Sequence, residues 1–473
     1  MTDTTTQSLD GLTIFSFETI SLKRWFFFAI LIGVVVAGQA ISAEPWKAGV
    51  ASVDITPKSS IWMAGYASRK GPSEGVLAPL YAKVLVIEDS HGKRCALVTS
   101  DLIGIPRKLR ELVAAGIASK YQLDPAGLVM NCSHTHCGPV VRDDLEMSVM
   151  YPLETEQRQR VEAYFAQLHA DILRGIGLAL DSMAPAKIGY SHARCGFAMN
   201  RRLPTKNGFQ NSPYPDGPVD HDVPVLRVDS MDGKLRAVMF GYACHNTSTA
   251  LNQINADYAG FAQQAIESAH PGSTALFVLG CGGDQNPYPR GKIENAQAHG
   301  ASLATAVEAA LLPEARAFQG ELKFAYQEID LPFAPISKEE TVAASQSKDL
   351  FEQRRATALL HELEQKGTVR ASYPYPVQVI QFGDQLTMFS LGGEVVVDYS
   401  IKLKQAFGRN PVWVAGYSND VMAYIPSERI LSEGGYEGGG AMRYSNLPGP
   451  WRTGVESMIL STIDELVAKT KNR

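Results

Sequence analysis

The stretch Leu128-Val129-Met130-Asn131-Cys132-Ser133-His134-Thr135-His136-Cys137-Gly138-Pro139 passes from a continuous apolar run to polar, turn-forming residues. A short apolar run bounded by turn residues reads as a buried strand, and here two imidazoles follow it directly. The same change recurs four more times. Met239-Phe240-Gly241-Tyr242 leads to His245-Asn246-Thr247-Ser248, and Phe277-Val278-Leu279 leads to Gly280-Cys281-Gly282-Gly283-Asp284-Gln285-Asn286-Pro287. Met388-Phe389-Ser390-Leu391 leads to Gly392-Gly393-Glu394, and Val412-Trp413-Val414 to Tyr417-Ser418-Asn419-Asp420. Ligands of α/β sheets bind outside the carboxyl ends of strands, so the clusters are expected to converge on one site.

Working outward, further strands are expected at 84–87, 95–98, 235–242, 275–279 and 412–415, and a strand hairpin over 378–391 turning at Gly383-Asp384. Helical periodicity covers 107–121, 154–183, 258–270, 293–312 and 454–471, with one helix or a helical hairpin at 338–366. No repeat, low-complexity tract or long linker interrupts this order. The expected fold is α/β, a mixed β-sheet flanked by helices with its active site at the carboxyl ends of strands, forming one unit over 44–473.

Residues 1–43 read differently. Lys23-Arg24, the 14-residue apolar run 25–38 and the small residues Ala40, Ser42 and Ala43 have the layout of a signal peptide. The run is short for a spanning helix, so export after cleavage is expected, to the periplasm or beyond, with an uncleaved membrane anchor as the alternative. Across the chain, 44 Lys and Arg against 49 Asp and Glu exclude a broad basic field for nucleic acid. The six cysteines, Cys95, Cys132, Cys137, Cys195, Cys244 and Cys281, are too few for a cystine framework in a chain of this size. Cys132 and Cys137 bracket the two histidines, but at a spacing that matches no zinc-finger pattern.

His134 and His136, lying in a loop, need not point to opposite faces. His245 adds an imidazole and Glu394 a carboxylate, and a His/His/carboxylate set with an open position suits catalytic zinc. The competing readings are two hydrogen-bonded loop histidines and a Glu394 that merely serves the start of the next helix. Gly282-Gly283-Asp284 permits close backbone approach beside one acid, though turn chemistry explains it equally well. Asn200-Arg201-Arg202 and Tyr436-Glu437-Gly438 are weaker still, since a lone Arg is usually solvated and a lone Tyr usually core.

The order of these motifs resembles the neutral (alkaline, non-lysosomal) ceramidases. The resemblance runs from Val53-Asp54-Ile55-Thr56-Pro57 and Met63-Ala64-Gly65-Tyr66 through the segment His134–Pro139, Asn200-Arg201, His245–Ser248, Gly283–Pro287 and Gly393-Glu394 to Tyr424 and Tyr436-Glu437-Gly438. It implies one zinc ion on His134, His245, Glu394 and Tyr424. It also implies substrate contacts from His136, Arg201 and Tyr436, with Gly65 as a backbone contributor to an oxyanion site. The chain departs from the family twice. The family's nucleophile is a Ser in a G-D-x-S-P motif, and Asn286 stands there. An amide nitrogen is neither basic nor readily ionised, so Asn286 cannot attack as Ser does. Family members also carry an immunoglobulin-like domain, whereas this chain continues for 37 residues past Tyr436, read as one helix.

The expectation is therefore a zinc-dependent hydrolase of ceramide or another N-acyl compound, using zinc-activated water, with Asp284 and Asn286 beside the reacting bond. Its partner is a small-molecule or lipid substrate, and peripheral membrane contact stays open. The alternatives are a hydrolase of a different amide or ester, such as an N-acyl sugar, a zinc-containing binding protein without catalysis, and a purely structural metal site.

Overall fold

Val84 and Val86 face one way and Leu85 and Ile87 the other, and both sets are buried. A strand alternates its side chains, so burial on both sides means that something packs on each face of the sheet. The computed structural model describes residues 45–142, 149–151, 153–314 and 316–471. The expected leader at 1–43 lies outside the described residues. No helix among the described residues is long and apolar enough to cross a membrane.

The chain begins with β1 (Lys47–Asp54), β2 (Tyr81–Glu88), β3 (Arg94–Ser100), α1 (Arg107–Tyr121) and β4 (Leu128–Cys132). Then come α2 (Thr155–Asp181), β5 (Ala184–Arg194), β6 (Ala198–Thr205), β7 (Gly208–Tyr214), β8 (Asp222–Ser230) and β9 (Leu235–Tyr242). They are followed by α3 (Asp257–Ala269), β10 (Thr274–Leu279), β11 (Gln285–Pro287), α4 (Ile293–Leu311), β12 (Arg316–Ala317) and β13 (Leu322–Pro332). The helical pattern at 338–366 resolves into a hairpin, α5 (Lys338–Ala344) and α6 (Leu350–Lys366). The chain closes with β14 (Ser372–Phe382), β15 (Leu386–Leu391), β16 (Glu394–Val395), α7 (Val397–Phe407), β17 (Val412–Ala415), β18 (Tyr424–Ile425), α8 (Glu428–Glu433) and α9 (Val455–Lys471).

The large sheet runs β10-β9-β8-β5-β1-β2-β3-β4, with β12 beside β5, and a second sheet runs β13-β14-β15-β17. The expected α/β fold with mixed β-structure flanked by helices is present, and its two larger sheets pack face to face. Leu85, Leu97, Met239 and Val278 of the first meet Ile380, Phe382, Met388 and Trp413 of the second. The first sheet's other face buries Leu109 and Val113 of α1, Ile172 and Ile176 of α2, Ile266 of α3 and Val307 of α4. The second sheet's outer face buries Tyr399 of α7 and Ile459, Ile463 and Leu466 of α9. The layers run helix, sheet, sheet, helix.

Most ladders are antiparallel, but β3 with β4, β9 with β10, β15 with β17 and β16 with β18 are parallel. Each polar cluster follows a member of one of these pairs. Parallel neighbours end on the same side, which gathers the clusters at one end of the sandwich.

Candidate functional site

His134 follows β4 with φ +57°, in the left-handed region that non-glycine residues seldom enter. Its Nδ1 lies 2.5 Å from the Ile103 carbonyl oxygen. His245 is held alike, its Nδ1 2.7 Å from the Gly282 carbonyl. A carbonyl at Nδ1 requires the proton there and leaves Nε2 as a lone pair, the support that metal-binding histidines commonly have. Both Nε2 atoms lie 3.2 Å from Oε2 of Glu394. The Tyr424 hydroxyl lies 3.2 Å from His245 Nε2, and the β16–β18 ladder sets Glu394 beside Tyr424 in register.

These spacings test the donor set against a metal. Zinc bonds of 2.0–2.2 Å in tetrahedral geometry hold ligand atoms about 3.3 Å apart. Three contacts of 3.2 Å, from both imidazoles to Glu394 and from His245 to the Tyr424 phenol, fit that requirement. Burial lowers His245 to about 4, keeping it neutral. Burial also drives the Tyr424 phenol above its ordinary range, against the opposing pull of Arg201. A phenolate there therefore needs cations at its oxygen, and Arg201 supplies one.

A third imidazole adjoins the group: nitrogens of His134, His136 and His245 lie within 4.8 Å of one another, enough to suggest a three-histidine site. What the other nitrogen of each ring touches separates them. His136 Nε2 is 3.2 Å from His134 Nε2, but its buried Nδ1 has no hydrogen-bond partner among the described residues. Gly65 presses on that edge, where a Cβ would fall 2.4 Å from the ring. Gly65 also has φ +93°, and its N–H donates to the Tyr151 hydroxyl at 2.7 Å. The Gly65 N–H, expected to serve an oxyanion site, is thus bonded to Tyr151, and the contact of Gly65 with His136 is steric.

Arg201 lies buried on β6 and spreads its guanidinium over three partners. Nε donates to Glu437 at 2.8 Å, one terminal nitrogen to Asn286 Oδ1 at 3.2 Å, and the other to the Tyr424 hydroxyl at 3.0 Å. Arg202, expected as an ordinary solvated group, is buried as well and donates to the second oxygen of Glu437 at 2.7 Å. Consecutive strand residues normally face opposite ways. The irregularity in the β6–β7 register between Asn200 and Arg202 turns both arginines onto one carboxylate.

Asn286 is buried on β11 opposite Met199. The Asp284 carboxyl accepts from the Val397 N–H at 2.8 Å, where α7 begins, and from Asn200 Nδ2 at 3.1 Å. Burial pushes it up to about 7. These bonds fit an anchor for the Asn286 strand better than the reacting acid read from sequence. Tyr436 stands at the mouth, 37% exposed, its ring 5.4 Å from that of Tyr424 and 5.8 Å from the Arg201 guanidinium.

Two contributors had no assigned role in the sequence reading. The Tyr417 ring lies 4.6 Å from that of His134, and its hydroxyl lies 3.4 Å from His245 Nδ1 and 3.5 Å from Glu394. Glu437 clamps both arginines. Their signals were position alone: Tyr417 opens the cluster after β17, and Glu437 adjoins Tyr436. Cys132 and Cys137 turn their thiols toward the carbonyls of Tyr417 and Leu251, and all six cysteines are free and buried.

A family described as neutral/alkaline non-lysosomal ceramidase, N-terminal, matches residues 46–306, more than half of the 473 residues. Among curated relatives, a neutral ceramidase of Drosophila pseudoobscura pseudoobscura is 24% identical over 259 residues, 51% of this chain and 35% of that protein. Neutral ceramidase A of Dictyostelium discoideum is 23% identical over 300 residues, 59% and 41% of the two chains. The chain thus matches well under half the length of these relatives. Among solved structures, the crystal structure of neutral ceramidase from Pseudomonas aeruginosa superposes with a TM-score of 0.70 at 22% identity, covering 91% of this chain and 75% of that one. A structure described as ceramidase complexed with C2 gives 0.67 at 21% identity, over 89% and 76%.

Proposed function

The chain belongs to the neutral/alkaline non-lysosomal ceramidase family, and on that premise we propose that it is a zinc-dependent amidohydrolase cleaving the N-acyl bond of ceramide or a related N-acyl compound. The observation that carries the reading is four metal-type donors linked by three contacts of 3.2 Å beside a buried arginine that touches both Tyr424 and Asn286. His134, His245, Glu394 and Tyr424 would hold the ion. When bound with a fifth position left beside these four donors, zinc would acidify water toward neutrality and polarise a carbonyl.

The remaining groups bind and orient. Arginine only donates, so the Asn286 oxygen faces Arg201 and its NH2 is left as a donor for substrate. Two of the five guanidinium N–H groups of Arg201 stay available beyond its three bonds. An amide carbonyl that becomes an oxyanion is met by donors fixed in a water-poor site, where they act most strongly. His136, neutral because burial holds it well below its ordinary range, and Tyr436 at the mouth complete the contacts to the scissile group. Export of the chain after removal of residues 1–43 belongs to the same proposal.

Asn286 also favours a second reading. With no hydroxyl at the family's nucleophile position, the substrate is a different amide or ester, such as an N-acyl sugar, or the chain binds without turnover. Purified protein assayed on ceramides, N-acyl sugars and simple esters, with and without chelator, separates these readings. Chelator-sensitive fatty acid release from ceramide is the expected result. Release from another substrate alone would move the specificity, and no release from any, with metal bound, would leave a binding protein.

A further inference from the structure

Three of the strands that lead into the site, β4, β10 and β17, share no ladder with one another. β4, which delivers His134, is one edge of the large sheet, and β10, which leads to the Gly282 carbonyl behind His245, is the other. β17, which leads to Tyr417, lies in the second sheet. One side chain meets all three. Asn131, the next-to-last residue of β4, is 1% exposed. Its Oδ1 accepts the Leu279 N–H of β10 at 2.8 Å. Its Nδ2 donates to the Leu279 carbonyl at 3.2 Å, the Gly416 carbonyl at 2.8 Å and the Ser418 hydroxyl at 3.1 Å. The carboxamide thus pairs with Leu279 as a strand backbone would and reaches the second sheet with the same nitrogen.

The link continues to the ligands. Tyr417 N–H donates to the Gly393 carbonyl at 3.0 Å, one residue before Glu394. His134, Tyr417 and Asn419 have φ of +57°, +48° and +66°, conformations that persist only where the surroundings over-determine them. All three lie within three residues of Asn131 or of its partners Gly416 and Ser418.

We propose that Asn131 is a positioning residue of the metal centre: its carboxamide sets the relative placement of the loops that carry His134, Glu394 and the carbonyl behind His245. This rests on the metal reading of the site. The chemistry is selective. Aspartate would aim a second acceptor at three oxygens, and leucine would keep the volume while leaving the Leu279 N–H without its partner.

The test compares parent, Asn131→Asp and Asn131→Leu by chelator competition for zinc and by the visible spectrum of the cobalt-substituted protein. Both variants are expected to bind zinc 10- to 100-fold more weakly, the effect typical of removing a supporting group, and to shift the cobalt bands. Affinity within twofold of the parent and superimposable cobalt spectra would overturn the proposal, even with a lowered unfolding temperature, because a merely structural role moves only the latter. Should neither variant fold, Ser418→Ala deletes one acceptor of the same amide and is read by the same spectrum, where a shift supports and no shift overturns. A parent that takes up no metal would instead overturn the metal reading. Hydrogen exchange on metal-free parent and Ser418→Ala protein then decides the positioning role: faster exchange confined to 131–138, 279–285 and 415–420 supports it, and unchanged exchange there overturns it.

Discussion

The site has two halves of different kinds. The candidate metal half, His134, His245, Glu394 and Tyr424, is drawn from four separate segments, yet three contacts of 3.2 Å link its donor atoms. The half facing it, Arg201, Asp284, Asn286 and Glu437, is locked by ion pairs and short ladders, and it holds Asn286, the residue proposed above to stand where the family has its serine. The metal half keeps every donor type that the family resemblance implies. On the proposed reading, the opposite half is a scaffold in which Asn286 changes the reagent. A buried scaffold of charges is costly to dismantle, because removing one partner strands another. A single uncharged position within it can change with far less disturbance, so this is where the chemistry of such a site diverges.

The sharpest way to break the comparison is to remove metal donors. Glu394→Ala and His245→Ala are each expected to lower zinc affinity by more than about 100-fold, beyond the loss from removing a supporting group, and to abolish turnover. Elemental analysis after dialysis checks this, and full metal content in both variants would show that the four donors are not the ligands. Next in size is Arg201→Met. Loss of an oxyanion-type donor costs about 100- to 1000-fold in turnover, and the contact with Tyr424 adds weaker zinc retention. Arg202→Met strands the same Glu437 without touching Asn286 or Tyr424, so it is expected to lower stability more than turnover. Equal loss of turnover in the two variants would mean that the clamp, and not the Arg201 contacts, matters.

The elements of this fold with strong periodicity were legible in the sequence. The pattern over 107–121 coincides with α1, and 235–242 with β9, because their apolar residues alternate or recur with little interruption. The packing of two sheets was not legible. It depends on Leu85 and Ile87 meeting Ile380 and Phe382, nearly 300 residues apart, and no local period records such a contact. At the site, the strand-end histidines and Glu394 announced themselves by chemistry and position. Tyr424 came only from family resemblance, since its place beside Glu394 is set by a two-residue ladder. The role of Glu437 and the burial of Arg202 follow from a bulge in β6, which nothing in the residue order marks.

A smaller effect probes the changed position. Asn286→Ala is expected to reduce turnover about tenfold, less than loss of a full oxyanion donor, with no covalent species trapped. Asn286→Ser places a hydroxyl beside Arg201 and the metal half, and it is expected to raise ceramide hydrolysis over the parent in a fatty acid release assay. A fast parent and an inactive Ser variant would show that the loop is built around the amide, so that the two halves have changed together.

The smallest effect concerns whether Asp284 belongs to the reacting groups or to the scaffold. Burial holds its carboxyl near 7, against an ordinary value of 3.8. Between these values the folded chain binds a proton that the unfolded chain has released. The resulting stability is fully present below about pH 4 and is lost as pH rises through about 7. Asp284→Asn keeps an oxygen for the Val397 N–H but cannot titrate, so its stability is expected to fall less between about pH 5 and about pH 8 than that of the parent. The slope does not vanish, because Asp420 is likewise pushed up to about 7 by burial and titrates in the same window. Denaturant midpoints at the two pH values measure the difference. Turnover of the variant is expected to stay within about tenfold of the parent, since the carboxyl contacts Val397 and Asn200 and a group outside the reacting shell transfers no proton. A collapse of turnover with an unaltered stability slope would move Asp284 from the scaffold into the chemistry, and the division between the two halves would have to be redrawn through it.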